Sequence, residues 1–241
     1  MKKIIASLFF ISFCVCLSFS QAPGLFRIGT GGLQGVYYPI GKLIAQGLTA
    51  RFLGPDKPAG IPETLFVAQT SGGSISNVQS LLSKETEAGL VQADVAYWAY
   101  TRQGPFEGLA EPAPVRAIAS LYPEKMQIVV RKDARIETFD QLKGKTISLD
   151  EAGSGTLAVL RILLEAHRLS EKDLKPVYLK PEFTVDRLMR NELQGFCMMA
   201  GVPALAIERL TSVDYSIVPI DPTVAERIQG QHPYLFPGVI P

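Results

Sequence analysis

The chain has 241 residues, with 24 basic and 23 acidic side chains and a formal net charge of +1. Such a near-neutral chain offers no basic surface for nucleic acid or for an anionic membrane, and this argues against both as partners. Its two histidines and three cysteines show no zinc-ligand spacing, so we expect neither a metal nor a cofactor.

Residues 1–22 are typical of a secretory signal peptide. Two lysines precede an apolar run over 4–19, and Ser20 and Ala22 provide small residues at the expected cleavage point. An N-terminal anchor helix is the alternative, although the run is short for a membrane span. We therefore predict an exported, periplasmic protein.

Cleavage there would remove Cys14 and Cys16 and leave Cys197 as the only cysteine. No internal disulfide could then form, so the mature chain has to rely on one or two apolar cores. Because Cys197 lies within the apolar run GFCMM, we expect a buried and inert thiol.

The mature sequence alternates short apolar strands with amphipathic helices, which is typical of an α/β fold with parallel strands. In the first half we predict strands over 25–30, 63–70, 88–94 and 114–122, and helices over 36–52, 74–85 and 95–102. In the second half we predict strands over 125–134, 145–149, 175–179, 195–200 and 215–220, and helices over 155–169, 182–193, 203–211 and from 224 onward. We infer two lobes, the first comprising 23–125 and 221–241 and the second 126–220.

Three glycine-containing loops each join a predicted strand to a predicted helix: IGTGGLQG, QTSGGSISN and LDEAGSGT. Backbone N–H groups at a helix N-terminus favour an anion, and in open α/β sheets such loops meet at the ligand-binding edge. A turn followed by an N-cap explains any single loop, and we expect Ser74 and Asp94 to be N-caps. The three loops together predict a site for an anionic ligand.

The first loop does not match a nucleotide-binding motif. A P-loop has four residues between its glycines, whereas Gly35 and Gly41 are separated by five, and Leu43 stands where Ser or Thr should follow Gly-Lys. The dinucleotide pattern G-x-G-x-x-G fails because Gln34 occupies the third glycine position. Pro39 is also expected to kink the helix that follows. The expected anion is therefore a carboxylate rather than a phosphate.

A secreted enzyme is one alternative function, and a ligand-binding sensory protein is another. The motif G-x-S-x-G is absent, and neither His167 nor His232 is placed beside a predicted nucleophile. We therefore predict that the chain is not an enzyme. A sensory protein would use the same two-lobed fold to signal to a membrane partner, and the sequence does not separate this function from transport.

Several segments resemble the solute receptors of TAXI-type TRAP transporters. They are IGTGGLQGVYYPIGKLIAQGL, TSGGSISNVQSL, GLVQADVAYWAYTRQGPF, RAIASLYPE, IVVRKDARIETFDQLKGKTISL, AGSGTLAVLRILLEA and AGVPALAI. The resemblance implies a two-lobed, type II-like periplasmic-binding-protein clamshell with its ligand cleft between the lobes. It also implies a monomer that captures a dicarboxylate, a 2-oxo acid or an acidic amino acid and delivers it to a TRAP membrane permease. Members of that family continue beyond the position of Pro241, so we expect the first lobe to be incomplete.

The same resemblance implies which residues contact the ligand. They are Thr30, Gly31, Gly32, Tyr37, Tyr38, Gly73, Ser74, Asn77, Gln92, Tyr122, Ser154, Gly155, Thr156 and Gly201. Hydroxyl groups and loop amides would bind carboxylates, whereas Asn77 and Gln92 could recognise an amide, amine or keto group. Tyr37 or Tyr38 would pack on the ligand or, equally well, between the lobes.

Three further expectations concern the surroundings of the cleft. Leu33 and Gln34 are larger than the residues usual in that family and would narrow the pocket. The crossings between the lobes are expected around 128–130 and 217–219. Arginines near the cleft could add positive charge, but a solvated surface position is favoured for each of Arg27, Arg116, Arg131, Arg161 and Arg187.

Overall fold

The computed structural model describes residues 23–240, so the predicted signal peptide at 1–22 lies outside the described residues. The first part of the fold contains β1 (Gly24–Gly29), α1 (Tyr37–Leu53), β2 (Thr64–Gln69), α2 (Ser74–Leu82), β3 (Ala88–Gly89) and α3 (Ala93–Thr101). The second part contains β4 (Lys125–Arg131), β5 (Thr146–Ser148), α4 (Gly155–Ala166), β6 (Lys175–Val177), α5 (Pro181–Met189), β7 (Gly195–Ala200), α6 (Leu205–Glu208), β8 (Tyr215–Ile217) and α7 (Pro222–Gln231).

The strands form two separate sheets, one in each lobe. The first sheet is parallel, with the order β2-β1-β3, and the second has the order β6-β5-β7-β4-β8. The predicted α/β fold is therefore confirmed, but the expectation of parallel strands is wrong for β4, which runs antiparallel to β7 and β8. The direction of β4 follows from the connection between the lobes. Its first residue, Lys125, pairs with the last residue of β7, Ala200, so β4 begins at the edge where β7 ends.

The second sheet is covered on both faces. Ile128 and Val130 of β4 lie in one apolar cluster with α4, whereas Val129 lies in another cluster with α5 and α6. This alternation is the period-two pattern of a strand with both faces buried. Cys197 of β7 is 3% exposed, and burial raises the pKa of its thiol to about 12, which agrees with the predicted inert cysteine.

A third apolar cluster connects the two lobes. Ile75 and Val78 of α2 pack with Trp98 of α3, and Ala158 and Ile162 of α4 join them from the second lobe. The lobes therefore share packed apolar surface in addition to the polar contacts described below.

Some predicted elements differ from the structure. No strand of the described chain pairs with the predicted strand 114–122, and Ile118 within it is 89% exposed. Pro112 and Pro114 lack the N–H groups that a sheet ladder needs, so the start of this segment is poorly suited to pairing. The predicted strand 88–94 is reduced to Ala88–Gly89, because α3 begins at Ala93.

The C-terminal helix contacts the second lobe more than the first, to which we assigned residues 221–241. Ile228 of α7 lies in the core of the second sheet. Tyr234, beyond the helix, reaches the third cluster and accepts a hydrogen bond from the indole N–H of Trp98.

The predicted crossings at 128–130 and 217–219 also need correction. Val129 pairs with Ile217 inside the second sheet, and Ile128, Val129 and Val130 are at most 1% exposed. A fully paired and buried strand cannot supply the backbone rotation of a hinge, so the first crossing lies before Lys125. Among residues 23–240, no helix combines the length and the apolar character that a membrane span needs.

Candidate functional site

A cavity of about 60 Å³ lies between the two lobes. Nine of the fourteen residues proposed from the sequence line it: Gly31, Gly32, Tyr37, Gly73, Ser74, Gln92, Ser154, Gly155 and Thr156. They come from all three glycine-containing loops, from the first residue of α1 and from the N-cap of α3. The loops after β1, β2 and β5 therefore meet at one place, as the open-sheet rule requires.

The other five proposed residues do not line the cavity: Thr30, Tyr38, Asn77, Tyr122 and Gly201. The Thr30 hydroxyl donates to the Gln69 carbonyl at 2.7 Å, and the Asn77 amide donates to the carbonyls of Thr30 and Leu90 at 2.6 and 2.7 Å. Both side chains are fully buried and tie the strands and loops of the first lobe together. Asn77 thus has its amide donors engaged by the fold.

Tyr122 and Gly201 are neighbours of each other across the lobes. A Cβ added to Gly201 would lie 3.1 Å from Cδ2 of the Tyr122 ring, so the glycine makes room for the ring. Leu33 and Gln34 do not line the cavity either, and Leu33 is 50% exposed. The expectation that these two residues narrow the pocket is therefore wrong.

The residues proposed as ligand contacts include none of the acidic residues of the cavity lining, which are Glu124, Asp150 and Glu151. Nor do they include the apolar end of β7 over 198–200, which lines the cavity as well. Asp150 and Glu151 belong to the loop LDEAGSGT itself, directly after β5. Their position at the carboxyl end of a central strand is the signal that could have identified them.

Glu124 is part of a chain of hydrogen bonds that joins the starts of the three first-lobe helices. Tyr37, the first residue of α1, donates its hydroxyl to Oε2 of Glu124 at 3.0 Å and lies 3.2 Å from the Ser74 hydroxyl. The Ser74 oxygen in turn accepts the Gln92 backbone N–H at 3.0 Å. Burial raises the pKa of Glu124 to about 7, and burial also raises the pKa of Tyr37 well above its usual value.

Asp94 is not the N-cap that the sequence suggested. The helix begins at Ala93 with Gln92 as N-cap, so Asp94 lies in the first turn, where its Oδ1 accepts the Val95 N–H at 2.8 Å. Its Oδ2 has no partner among the described residues, and the side chain is 3% exposed. Burial therefore raises the pKa of Asp94 to about 6.

The N-terminus of α2 is satisfied from the other lobe. Ser74 is the first helical residue rather than the N-cap, which is Gly73. The N–H groups of Ile75 and Ser76 donate to the carbonyl of Gly153 at 3.0 and 3.2 Å. Gly73 and Gly153 have φ values of +102° and +90°, which favour glycine. The second and third loops thus bind each other directly.

At the N-terminus of α4, a side chain of the same segment accepts a hydrogen bond from a main-chain N–H of the first turn. Ser154 is its N-cap and accepts the Leu157 N–H at 3.1 Å. Burial raises the pKa of Asp150 to about 6, and hydrogen bonds from Thr156 and Ser154 partly offset this effect. A carboxylate of the chain itself therefore lies where the helix dipole favours negative charge.

The start of α1 differs from the expectation of a kinked helix. Pro39 is the third residue of the helix. In the first turn the N–H groups have no intrahelical partner, so proline removes no hydrogen bond there.

No lysine, arginine or histidine lines the cavity within the described chain. Of the five candidate arginines, Arg27, Arg131, Arg161 and Arg187 form ion pairs with acidic residues elsewhere, and Arg116 donates a hydrogen bond to the Val115 carbonyl. These contacts agree with the surface positions favoured for Arg161 and Arg187, whereas the side chain of Arg131 is only 16% exposed. Residues 23–240 contain no cluster of three or more side chains suited to a metal ion.

Residues 28–241 match the model of the NMT1-like family. The chain belongs to this family. Among solved structures, the fold of this NMT1-like protein is similar to that of a protein from Bordetella bronchiseptica RB50, with 15% identity and a TM-score of 0.56, over 86% of this chain and 60% of that chain. It is also similar to an ancestral arginine-binding protein bound to arginine, with 12% identity and a TM-score of 0.53, over 82% and 80% of the two chains.

A further similar structure is the periplasmic aliphatic sulphonate binding protein SsuA from Escherichia coli. It has 15% identity and a TM-score of 0.49, over 87% of this chain and 69% of that chain. At such identities the likeness concerns the fold. The two sheets and the cavity between them give the NMT1-like chain the predicted two-lobed α/β architecture.

Proposed function

We propose that this NMT1-like protein is the extracytoplasmic solute-binding protein of a transporter and that it binds a small ligand between its lobes. The observation that supports this most is the cavity itself. Its lining comes from loops of both sheets, including Gly31 and Gly73 from one lobe and Ser154 and Thr156 from the other. A ligand in contact with both lobes would stabilise their closed arrangement by its differential contacts.

The cavity volume indicates that the lobes must separate to admit a ligand. Ligand pockets usually enclose about 300–1,000 Å³, whereas this cavity encloses about 60 Å³. Separation would break the hydrogen bonds of Gly153 with the amides of Ile75 and Ser76. The proposed cycle is therefore opening, ligand entry, and closure with the ligand between the loops.

At a finer level, we propose that the ligand is a small carboxylate and that the partner is a TRAP permease of the TAXI type. The segments that resemble TAXI receptors support the choice of partner. Gly31, Gly32 and Gly72 line the cavity, and the main-chain amides of such loops would be suited to a carboxylate. Export through the N-terminal leader and a monomeric state are part of the same proposal. No catalytic step is assigned to the cleft.

A thermal-shift screen of the purified protein tests the binding function. The panel contains dicarboxylates, 2-oxo acids, amino acids and nucleotides. A ligand at about one hundred times its dissociation constant should stabilise the fold by about 2.7 kcal/mol. A shift with carboxylates and none with nucleotides supports the proposal, whereas no shift with any member of the panel contradicts it.

A transport assay separates delivery to a permease from sensing. Vesicles that contain the cognate permease should take up the identified ligand only when the purified protein is added, and uptake should follow an ion gradient without ATP. Binding without any stimulation of uptake would favour the sensory function instead.

A further inference from the structure

The charged side chains that line the cavity are all acidic. Glu124, Asp150 and Glu151 line it, and its described lining contains no basic residue. Only Glu151 has a basic neighbour, because the Lys180 ammonium lies 3.5 Å from its Oε1. Glu124 and Asp150 therefore face the cavity without a counter-charge in the described part of the chain.

Glu124 is fixed in position by a neutral donor. The Tyr37 hydroxyl donates to its Oε2 at 3.0 Å, and no other side chain or amide within residues 23–240 donates to this carboxylate. Glu124 is half-buried, and a carboxylate withdrawn from water with one neutral donor is costly unless a cation or further donors reach it. The group thus has unused acceptor capacity toward the cavity.

A fourth acidic side chain, Glu182, approaches the same region from α5. Oε2 of Glu182 is buried and has no hydrogen-bond partner in the described chain. It faces the first-lobe loop, since a Cβ added to Gly32, which lines the cavity, would lie 2.6 Å from this oxygen. Acidic side chains of both lobes therefore surround the cavity.

This distribution of charge distinguishes between ligand classes. A dicarboxylate would bring two negative charges into a cavity without a basic residue, and like charges a few ångströms apart repel strongly where solvent is excluded. A protonated amine is attracted by the same groups and carries three donors for Glu124 and its neighbours. The absence of a cluster of metal-ligating side chains in residues 23–240 makes a bridging metal ion a poor substitute.

We propose that the ligand carries a protonated amine that binds the carboxylate of Glu124. Within the carboxylates of the proposed function, on which this inference rests, the cleft then selects amino acids over dicarboxylates and 2-oxo acids. The carboxylate of the amino acid binds the main-chain amides of the glycine-containing loops. Tyr37 holds Glu124 in the orientation that accepts the amine.

Calorimetric titration with matched ligand pairs tests this selection. Each common amino acid is compared with the 2-oxo acid of the same carbon skeleton, for example glutamate with 2-oxoglutarate and alanine with pyruvate. Within the matched pair that binds, the amino acid should bind at least about 30-fold more tightly than the 2-oxo acid. This factor is the loss of affinity expected when a buried charge pair loses one partner. Equal affinity, or a preference for the oxo acid, overturns the inference but leaves the receptor function intact. Binding of neither class overturns both.

Glu124→Gln identifies the residue that is responsible. Glutamine keeps the shape and the oxygen that accepts the Tyr37 hydroxyl, so a cooperative melt should confirm that the variant folds. Affinity for the amino acid should fall by about 30-fold or more, while affinity for its oxo acid stays equal or rises. Glu226→Gln, at an exposed position of α7, is the matched control and should change neither affinity. An unchanged ratio of the two affinities in Glu124→Gln would overturn the assignment.

Discussion

Gly155→Ala tests how closely the two lobes approach each other. Gly155 is the first residue of α4, and a Cβ added to it would lie 1.7 Å from Oε1 and 2.4 Å from Cδ of Gln92. Gln92 belongs to the other lobe and is only 6% exposed, so its amide has little room to move. The variant can close only if Gln92 leaves its position.

The expected magnitude follows from the cost of overpacking, which is about 1–3 kcal/mol. This cost applies only to the arrangement in which the lobes touch. The ratio of closed to open forms should therefore fall by about 5- to 150-fold. Within the second lobe itself, alanine is a better helix former than glycine, so the variant should still fold.

Small-angle scattering gives the radius of gyration, and titration gives the ligand affinity. Gly155→Ala should increase the radius of gyration and weaken ligand binding. The double variant Gly155→Ala with Gln92→Ala should restore the compact form. Gly47→Ala is the matched control, because a Cβ at this exposed site of α1 meets no atom within 4 Å. A Gly155→Ala protein with unaltered radius of gyration and unaltered affinity would refute the reasoning.

Three further predictions concern stability. Burial raises the pKa of Asp94 to about 6 and that of Glu124 to about 7, so at these two groups the folded chain binds more protons than the unfolded chain. Proton binding at Asp94 and Glu124 therefore stabilises the folded state. This stabilisation is full below about pH 4 and is lost as the pH rises through 6 to 7. The melting temperature should be higher at pH 5 than at pH 7.5. Asp94→Asn should reduce the corresponding difference in the free energy of unfolding by about 1.4 kcal/mol, because part of the contribution of Asp94 is already lost at pH 5. A melting temperature that rises over this range would contradict the argument. Asn77→Ala should lower the free energy of unfolding, measured by urea titration, by about 2–4 kcal/mol, because two buried carbonyls lose their hydrogen-bond donor. Gln79→Ala, at an exposed position of the same helix, is the control and should change the free energy of unfolding by less than about 0.5 kcal/mol. Gly41→Ala should destabilise the protein by about 1–3 kcal/mol although alanine is the better helix former, because its Cβ would lie 2.5 Å from Cγ2 of Thr30. Gly47→Ala on the same helix is the control and should stabilise the protein by about 0.5–1 kcal/mol. Equal melting temperatures for the two variants would be evidence against the contact with Thr30.

The local patterns predicted the regular elements well. The strand 195–200 was predicted with the bounds that the structure has. Thr138 and Gln141 form a capping box around the short helical turn Phe139–Leu142, with Gly144 at a φ of +72° just beyond it. These features depend on neighbours in sequence, such as the reach of a threonine hydroxyl to the third residue of the turn. Hydrophobic periodicity and cap residues therefore predict such local contacts directly from the sequence.

Contacts between distant segments were not predictable in the same way. Ser74 looked like an N-cap because its own hydroxyl could satisfy the helix, but the carbonyl of Gly153 does so from 79 residues away. Asn77 looked available to a ligand, yet it binds the carbonyls of Thr30 and Leu90. A sequence shows which donors a residue has, whereas the acceptor depends on tertiary packing.

The hydrogen bonds of Gly153 have a thermodynamic consequence for binding. The amides of Ile75 and Ser76 already have an acceptor within the chain, so a ligand oxygen that uses them must displace it. The measured affinity of such a ligand is then the difference between two hydrogen-bonded arrangements of the same donors. For such a ligand the loop around Gly153 would be an intramolecular competitor, and the cost of breaking its two hydrogen bonds would raise the ligand concentration needed for half saturation.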